Sequence, residues 1–262
     1  MSSMRILFLG DIVGNPGKKA VRALLPGLVS REQVSFVIAN CENIADGTGV
    51  NVPGVDALLD AGVDVLTSGN HVFRLNEARD LLEREDRLLR PANYPSGAPG
   101  RGFALYRSDE GVSVAVVNLL GRVFMEPVDC PFQVASEIVE RIGTGVTIFV
   151  DMHGEATSEK AAMGWHLAGR VAAVVGSHTH VQTADERILP GGTAFLTDAG
   201  MCGPVDSVIG VQPEAVVKRF LTRLPGGFTV ATGPVLVQGA IVEVDPATGM
   251  ARSIRRIQER FR

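Results

Sequence analysis

The chain alternates apolar, β-branched runs with helical patterns over most of its length, and this limits its architecture most. Arg5–Gly10, Val34–Ala39, Val63–Ser68, Val112–Leu119, Val146–Val150, Val171–Val175 and Thr193–Leu196 read as strands. Between and after them Lys18–Leu28, Val55–Ala61, Asn76–Leu89, Val134–Ile142, Glu159–Ala168 and Pro213–Leu221 read as helices. Such alternation argues for an α/β sheet with helices on its faces. The tail from Phe228 to Phe261 reads as three further β segments, so a mixed sheet or a sandwich of two sheets is expected. With 262 residues and no convincing linker, one domain spanning 1–262 is expected.

The uncharged stretch Leu224–Val242 is broken by Pro225, Gly226, Gly227, Gly233 and Pro234, and reads as two buried strands, not a membrane span. The apolar run before Asp11 is too short for a signal-peptide core. Cys41, Cys130 and Cys202 are widely spaced, form no CxxC pair, and read as reduced thiols. A cytoplasmic protein with no membrane attachment is therefore expected. A net charge of −4 offers no global basic field for nucleic acid.

The first strand runs into a glycine-rich turn, Gly10-Asp11-Ile12-Val13-Gly14-Asn15-Pro16-Gly17. The spacing fits neither a Walker A loop nor a G-x-G-x-x-G dinucleotide fingerprint. Asp11 would also repel a phosphate placed on it. A carboxylate at a strand end suits a cation, although in isolation it serves equally as a turn or helix cap.

Four other strands end in a similar way. They run into Asn40-Cys41-Glu42-Asn43, Ser68-Gly69-Asn70-His71, Asp151-Met152-His153-Gly154 and Gly176-Ser177-His178-Thr179-His180. Ligands in α/β sheets sit outside the carboxyl ends of the strands, and a parallel arrangement would gather these five ends on one rim. Of five histidines in the chain, His71, His153, His178 and His180 lie at these ends; His166, in a helical pattern beside Trp165, reads as structural. His178 and His180 would face opposite ways in a regular strand, so the chain must turn there.

With Gly10-Asp11, Gly69-Asn70-His71, His153 and Gly176-Ser177-His178-Thr179-His180 in that order, the chain resembles the calcineurin-like metallophosphoesterases. Val13 stands where the usual first motif has histidine, and Glu42-Asn43 where the second has a bridging aspartate. Both departures, together with His153–Lys160 and Thr197–Met201, resemble one bacterial branch, the YmdB-type proteins, associated with 2′,3′-cyclic nucleotide phosphodiesterase activity.

The resemblance implies a sandwich of mixed β-sheets flanked by helices, with a two-metal site at the carboxyl ends of strands. Asp11, Asn43 and His180 would hold one ion, Asn70, His153 and His178 the other, and Glu42 would bridge them. His71 would be the proton donor beside them. The implied chemistry is attack of a metal-bridging hydroxide on a phosphodiester of a small nucleotide or RNA end. The donor set of imidazole, carboxylate and amide oxygen, without thiolate, suits iron or manganese, with zinc an alternative.

Two rival functions fit the same residues: a phosphomonoesterase, and a regulatory or RNA-binding protein that keeps its metals for structure. A homo-oligomer is compatible with the sequence, which names no protein partner. Asp198 ends another strand and is a candidate neighbour of the site. Thr157 and Ser158 read as a helix cap or a phosphate-greeting N-terminus. The arginine-rich tail Arg252–Arg262 reads as a solvated edge strand, with RNA contact the alternative.

Overall fold

The computed structural model describes residues 3–108 and 110–262. The chain order is β1 (Met4–Leu9), β2 (Asp11–Ile12), α1 (Gly14–Glu32), β3 (Phe36–Asn40), α2 (Val52–Leu59), β4 (Val65–Thr67), α3 (Glu77–Arg84), β5 (Phe103–Arg107), β6 (Ser113–Leu120), α4 (Pro131–Ile142), β7 (Thr147–His153), α5 (Thr157–His166), β8 (Ala173–Ser177), β9 (Arg187–Leu189), β10 (Thr193–Leu196), β11 (Met201–Pro204), α6 (Pro213–Thr222), β12 (Val235–Asp245) and β13 (Met250–Phe261).

Two mixed sheets result. One runs β2-β11-β12-β1-β3-β4, with β13 on the other edge of β12; the second runs β5-β6-β7-β8-β10-β9. β1, β3 and β4 are parallel to one another, as are β6, β7, β8 and β10. The expected sandwich of mixed sheets flanked by helices is the architecture found.

Alternation within the strands assigns each face. In β1, Ile6 and Phe8 enter the core between the sheets, while Leu7 and Leu9 join the cluster holding Ala20, Val21 and Leu25 of α1. Phe8 meets Phe149 of β7 across the sheets, with ring centroids 5.3 Å apart. On the far side, Ala115 and Val117 of β6 pack with Ala135, Ile138 and Val139 of α4 and Met163 of α5. Because helices cover the outer faces, the central strands are buried on both sides and read as continuous apolar runs.

Several boundaries differ from the sequence reading. Helix α1 begins at Gly14, ahead of the expected Lys18. The helix expected over Asn76–Leu89 stops at Arg84, because Leu88 and Leu89 bridge to Leu66 and Arg101 in strand fashion. β2, β5, β9 and β11 are short or marginal strands without a strong apolar pattern. The tail contains two strands, not three, and only Val235 onward of the uncharged stretch is strand. Residues 224–229 are exposed: lack of charge there does not mean burial, since no sheet face is available to cover them.

The tail arginines do lie on an edge strand, β13, where Arg255 pairs with Glu32, Arg256 with Glu186 and Arg252 with Asp245. Among the described residues, no helix is long and apolar enough to cross a membrane.

Candidate metal centre

The carboxyl ends of β1, β3 and β4 in one sheet and of β7 and β8 in the other meet at one end of the sandwich. There the structure brings together every site residue expected from the sequence. Asp11, Glu42 and His153 are fully buried, and Asn43 nearly so. His71 retains 31% side-chain exposure, more than the other imidazoles, and faces the opening.

His153 Nε2 is the hub. Glu42 Oε2 lies 3.2 Å from it, Asn70 Oδ1 3.2 Å and His178 Nδ1 3.1 Å. The loop bearing Asn70 comes this close because residue 69 is glycine; a Cβ there would lie 2.2 Å from His153 Nε2 and 2.4 Å from Glu42 Oε2. A second group lies beside it. His180 Nε2 is 3.1 Å from Asn43 Nδ2 and 3.7 Å from Asp11 Oδ1, while His180 Nδ1 meets the Ile209 carbonyl at 2.8 Å. Asn43 as placed turns its carboxamide oxygen to His71; presenting oxygen to the His180 side requires its amide to flip.

The backbone turn demanded by the two-apart histidines is present. His178 and His180 both adopt positive φ, 99° and 64°, an expensive conformation for side chains of this kind. Asp11 Oδ2 accepts from His178 N at 2.9 Å, and Asp198 Oδ2 accepts from Thr179 N at 3.0 Å, holding the turn from both sides.

The hydrogen-bond pattern assigns the proton on His153. Ser177 Oγ donates to Asp151 Oδ1 at 2.6 Å, so it accepts from His153 Nδ1 at 2.9 Å. Asn40 Nδ2, 3.3 Å from Nδ1, already donates to Asp151 Oδ2 and Ser68 O. With Nδ1 carrying its hydrogen, a neutral His153 turns a bare Nε2 lone pair toward the lone pairs of Glu42, Asn70 and His178. Asp11 Oδ1, buried and without a hydrogen-bond partner, adds another uncompensated acceptor. Five inward-facing acceptors around a buried space call for positive charge.

The electrostatics agree. Burial alone would lower the His153 pKa, but Glu42, Asp11 and Asp151 push it up to about 9. His180 is likewise opposed by burial and raised by Asp11 and Glu42 to about 9. Burial opposes ionisation of Glu42, yet His153 and His71 hold its carboxyl well below the usual range; His180 and His153 do the same, less strongly, for Asp11. His178 is pushed down to about 4 by burial and by His153, which leaves it neutral. In the ion-free chain, protons on His153 and His180 supply the positive charge that a cation would otherwise bring.

The donor set therefore fits divalent cations. Glu42, His153 and His178 alone present ligand atoms within 4.8 Å of one another. No sulfur joins them: Cys41 is buried in the helix-side cluster, and burial pushes its thiol up. His71 stands slightly apart. Its Nδ1 lies 3.0 Å from Glu42 Oε1 and 2.9 Å from Asn43 Oδ1, two acceptors that require the hydrogen on Nδ1.

Some neighbours escaped the sequence reading. Asp151 and Ser177 carry the His153 contact; their clue was Asp151-x-His153 in one strand, since residues two apart share a face. Glu155 Oε2 reaches His178 Nε2 at 3.1 Å. Lys160 is fully buried against Asp198, the candidate neighbour of the site. His166, as expected, lies away from the centre and contacts Ser136 and Phe132. Thr157 and Ser158 do not cap α5: Ala156 is its N-cap and makes no side-chain cap bond. Glu159 instead turns out of the first turn to accept from Arg122 N and Val123 N.

Known proteins are similar to this chain along nearly its whole length. A family model described as YmdB-like protein matches residues 7–257. A Bacillus subtilis protein named 2′,3′-cyclic-nucleotide 2′-phosphodiesterase is 46% identical over 255 residues, which covers 97% of this chain and 96% of that protein. A hypothetical protein from Thermus thermophilus superposes with a TM-score of 0.93 at 39% identity, covering 99% of this chain and all of that one. A Mycoplasma pneumoniae structure described as a novel phosphatase also gives 0.93, at 32% identity, covering 99% of this chain and 94% of that one. The metallophosphoesterase-like sandwich, the matched span and the relatives together make this chain a member of the YmdB-like family.

Proposed function

We propose that this chain is a binuclear metal-dependent phosphodiesterase acting on 2′,3′-cyclic nucleotides. The observation that carries the reading is the convergence of Glu42, Asn70 and His178 on Nε2 of His153, with the orphaned Asp11 oxygen beside them. The name of the Bacillus subtilis relative supports the substrate class.

Asn70, His153 and His178 would hold one ion, and Asp11, His180 and a flipped Asn43 the other. Glu42 would serve both, since its Oε1 lies 3.1 Å from Asn43 Nδ2 and its Oε2 3.2 Å from His153 Nε2. Ions bound there supply Lewis-acid neutralisation of phosphoryl charge and a water acidic enough to act as nucleophile near neutral pH. The mixed imidazole, carboxylate and amide donors suit iron or manganese, with zinc the alternative.

The chain's own part is positioning and proton delivery. His71 is tied through Nδ1 to Glu42, which leaves Nε2 to exchange a proton with the cavity it lines. It would protonate the 2′-oxygen as the bond from that oxygen to phosphorus breaks, leaving a 3′-nucleotide. Burial of Asp11, Glu42 and His153 keeps bulk water from screening the charges involved. Walls of the cavity come from points as distant as Val13 and Val230, so we take residues 1–262 as one catalytic unit.

The test is elemental analysis of protein purified with iron or manganese supplied, followed by turnover of 2′,3′-cyclic AMP, bis-p-nitrophenyl phosphate and p-nitrophenyl phosphate. Two metal equivalents with faster turnover of the diesters is the expected result. Preference for the monoester would replace the reading with a phosphomonoesterase, and metal without turnover of any ester would favour a structural role.

A further inference from the structure

The cavity of about 520 Å³ that opens over the candidate centre has a second wall that the chemistry above does not use. Besides His71, His178 and His180, its lining includes Arg219, Phe228 and Thr229. Phe228 keeps 47% of its surface exposed, unusual for so large an apolar ring. The Arg219 guanidinium, from the last turn of α6, stands 5.0 Å from the ring centroid in a cation–π arrangement.

This ring is not on a loose loop. Immediately after it, Gln212 N donates to Thr229 O at 2.9 Å, Val230 bridges to Val211, and Ala231 N donates to Gly210 O at 2.9 Å. The same short segment begins at Ile209, whose carbonyl holds His180 Nδ1. Residues 228–231 therefore run about one strand spacing, ~5 Å, from the segment that braces the centre. Val230 also packs onto the loop that follows Asn43: a Cβ on Gly47, which has φ +93°, would lie 2.7 Å from its Cγ2.

We propose that Phe228, braced by Arg219, is the platform on which the nucleobase of the substrate stacks. The inference rests on the phosphodiesterase reading and deepens it, by naming where the part of the substrate remote from phosphorus is held. An exposed aromatic ring with a cation beside it suits any base, because every base presents a π face, and no hydrogen-bond readout is needed. The platform thus accepts nucleoside 2′,3′-cyclic phosphates of all four bases, with purines favoured for their larger stacking area.

The experiment compares wild type, Phe228→Ala and Phe228→Trp on 2′,3′-cyclic AMP and on base-free ribose 2′,3′-cyclic phosphate. Calorimetric binding of adenosine 3′-monophosphate to the metal-loaded protein gives a readout without turnover. Phe228→Ala is expected to raise KM for the nucleotide and weaken adenosine monophosphate binding, each on the order of tenfold. Its kcat should change little, since binding remote from the reacting atoms is uniform. The base-free ester should be unaffected, and Phe228→Trp should restore both readouts. Equal losses on both esters, or unchanged adenosine monophosphate binding, would overturn the platform. If wild type turned over neither ester, the phosphodiesterase reading would fall, and the binding comparison alone would decide the platform.

Discussion

Lys160 Nζ lies 2.8 Å from Asp198 Oδ2, and both side chains are completely buried. Lys160 also donates to the Ser177 carbonyl at 3.0 Å, while the same Asp198 carboxylate accepts from Thr179 N and Gly200 N. The pair thus joins α5, which follows the His153 loop, to the turn that carries His178 and His180 in their costly positive-φ conformations. Removing one partner leaves a buried charge uncompensated, at a cost of roughly 3–5 kcal/mol. Asp198→Ala is expected to lower the urea midpoint accordingly. Replacing both together, as Lys160→Met with Asp198→Leu, should recover part of the stability while leaving metal affinity weakened, because Thr179 N loses its acceptor.

Ser177 and Asp151 act on His153 in a different way: they hold a hydrogen on Nδ1, so that Nε2 is the nitrogen that gives up its proton to a cation. Partners of this sort typically contribute ~10–100-fold to metal affinity. Ser177→Ala is expected to weaken metal binding by about that factor in a chelator competition, with the fold retained by circular dichroism. An unchanged affinity would show that the presentation of His153 Nε2 does not depend on Ser177.

His71→Ala separates proton donor from ligand. The variant should retain both metal equivalents by elemental analysis and lose turnover by ~10²–10⁴-fold. Loss of a metal equivalent would instead make His71 a ligand. Glu42→Gln should behave oppositely and deplete both equivalents, because its two oxygens lie beside Asn43 and His153, candidate ligands of different ions.

Metal uptake should depend on pH. In the ion-free chain His153 and His180 are raised to about 9, above their ordinary value of 6.5. Both are therefore protonated at pH 7.5, and a cation must displace those protons. Affinity should rise with pH up to about 9 and level off beyond, with proton release measured by calorimetry in buffers of different ionisation enthalpy. The same shifts have a stability consequence. Protonated His153 and His180 stabilise the ion-free fold fully below pH 6.5, and that contribution fades as pH rises through about 9.

Much of this molecule could be read from the order of its residues. Strands buried on both faces must be apolar throughout, so β1, β3, β7 and β8 stand out, and the polar residues that end them mark the rim. The histidines at these ends and Asp11, Glu42, Asn43 and Asn70 became candidates because each lies at or just beyond the end of an apolar run and because their order carries the family resemblance.

What the order of residues left open is which strands become neighbours, since pairing is decided by contacts between residues far apart in the chain. Ser177 lies beside His153 only because β7 and β8 pair in that register. Lys160, by type a surface residue, is buried only because Asp198 arrives from the end of another strand to meet it. Phe228 becomes a wall of the cavity because its segment bridges to Val211, and no local pattern in the exposed stretch around it announces that contact. Local propensity and burial periodicity thus determined the elements, and the strand ends marked the candidate ligands. The supporting network and the substrate wall were decided by long-range packing, whose energy belongs to pairs and not to single positions.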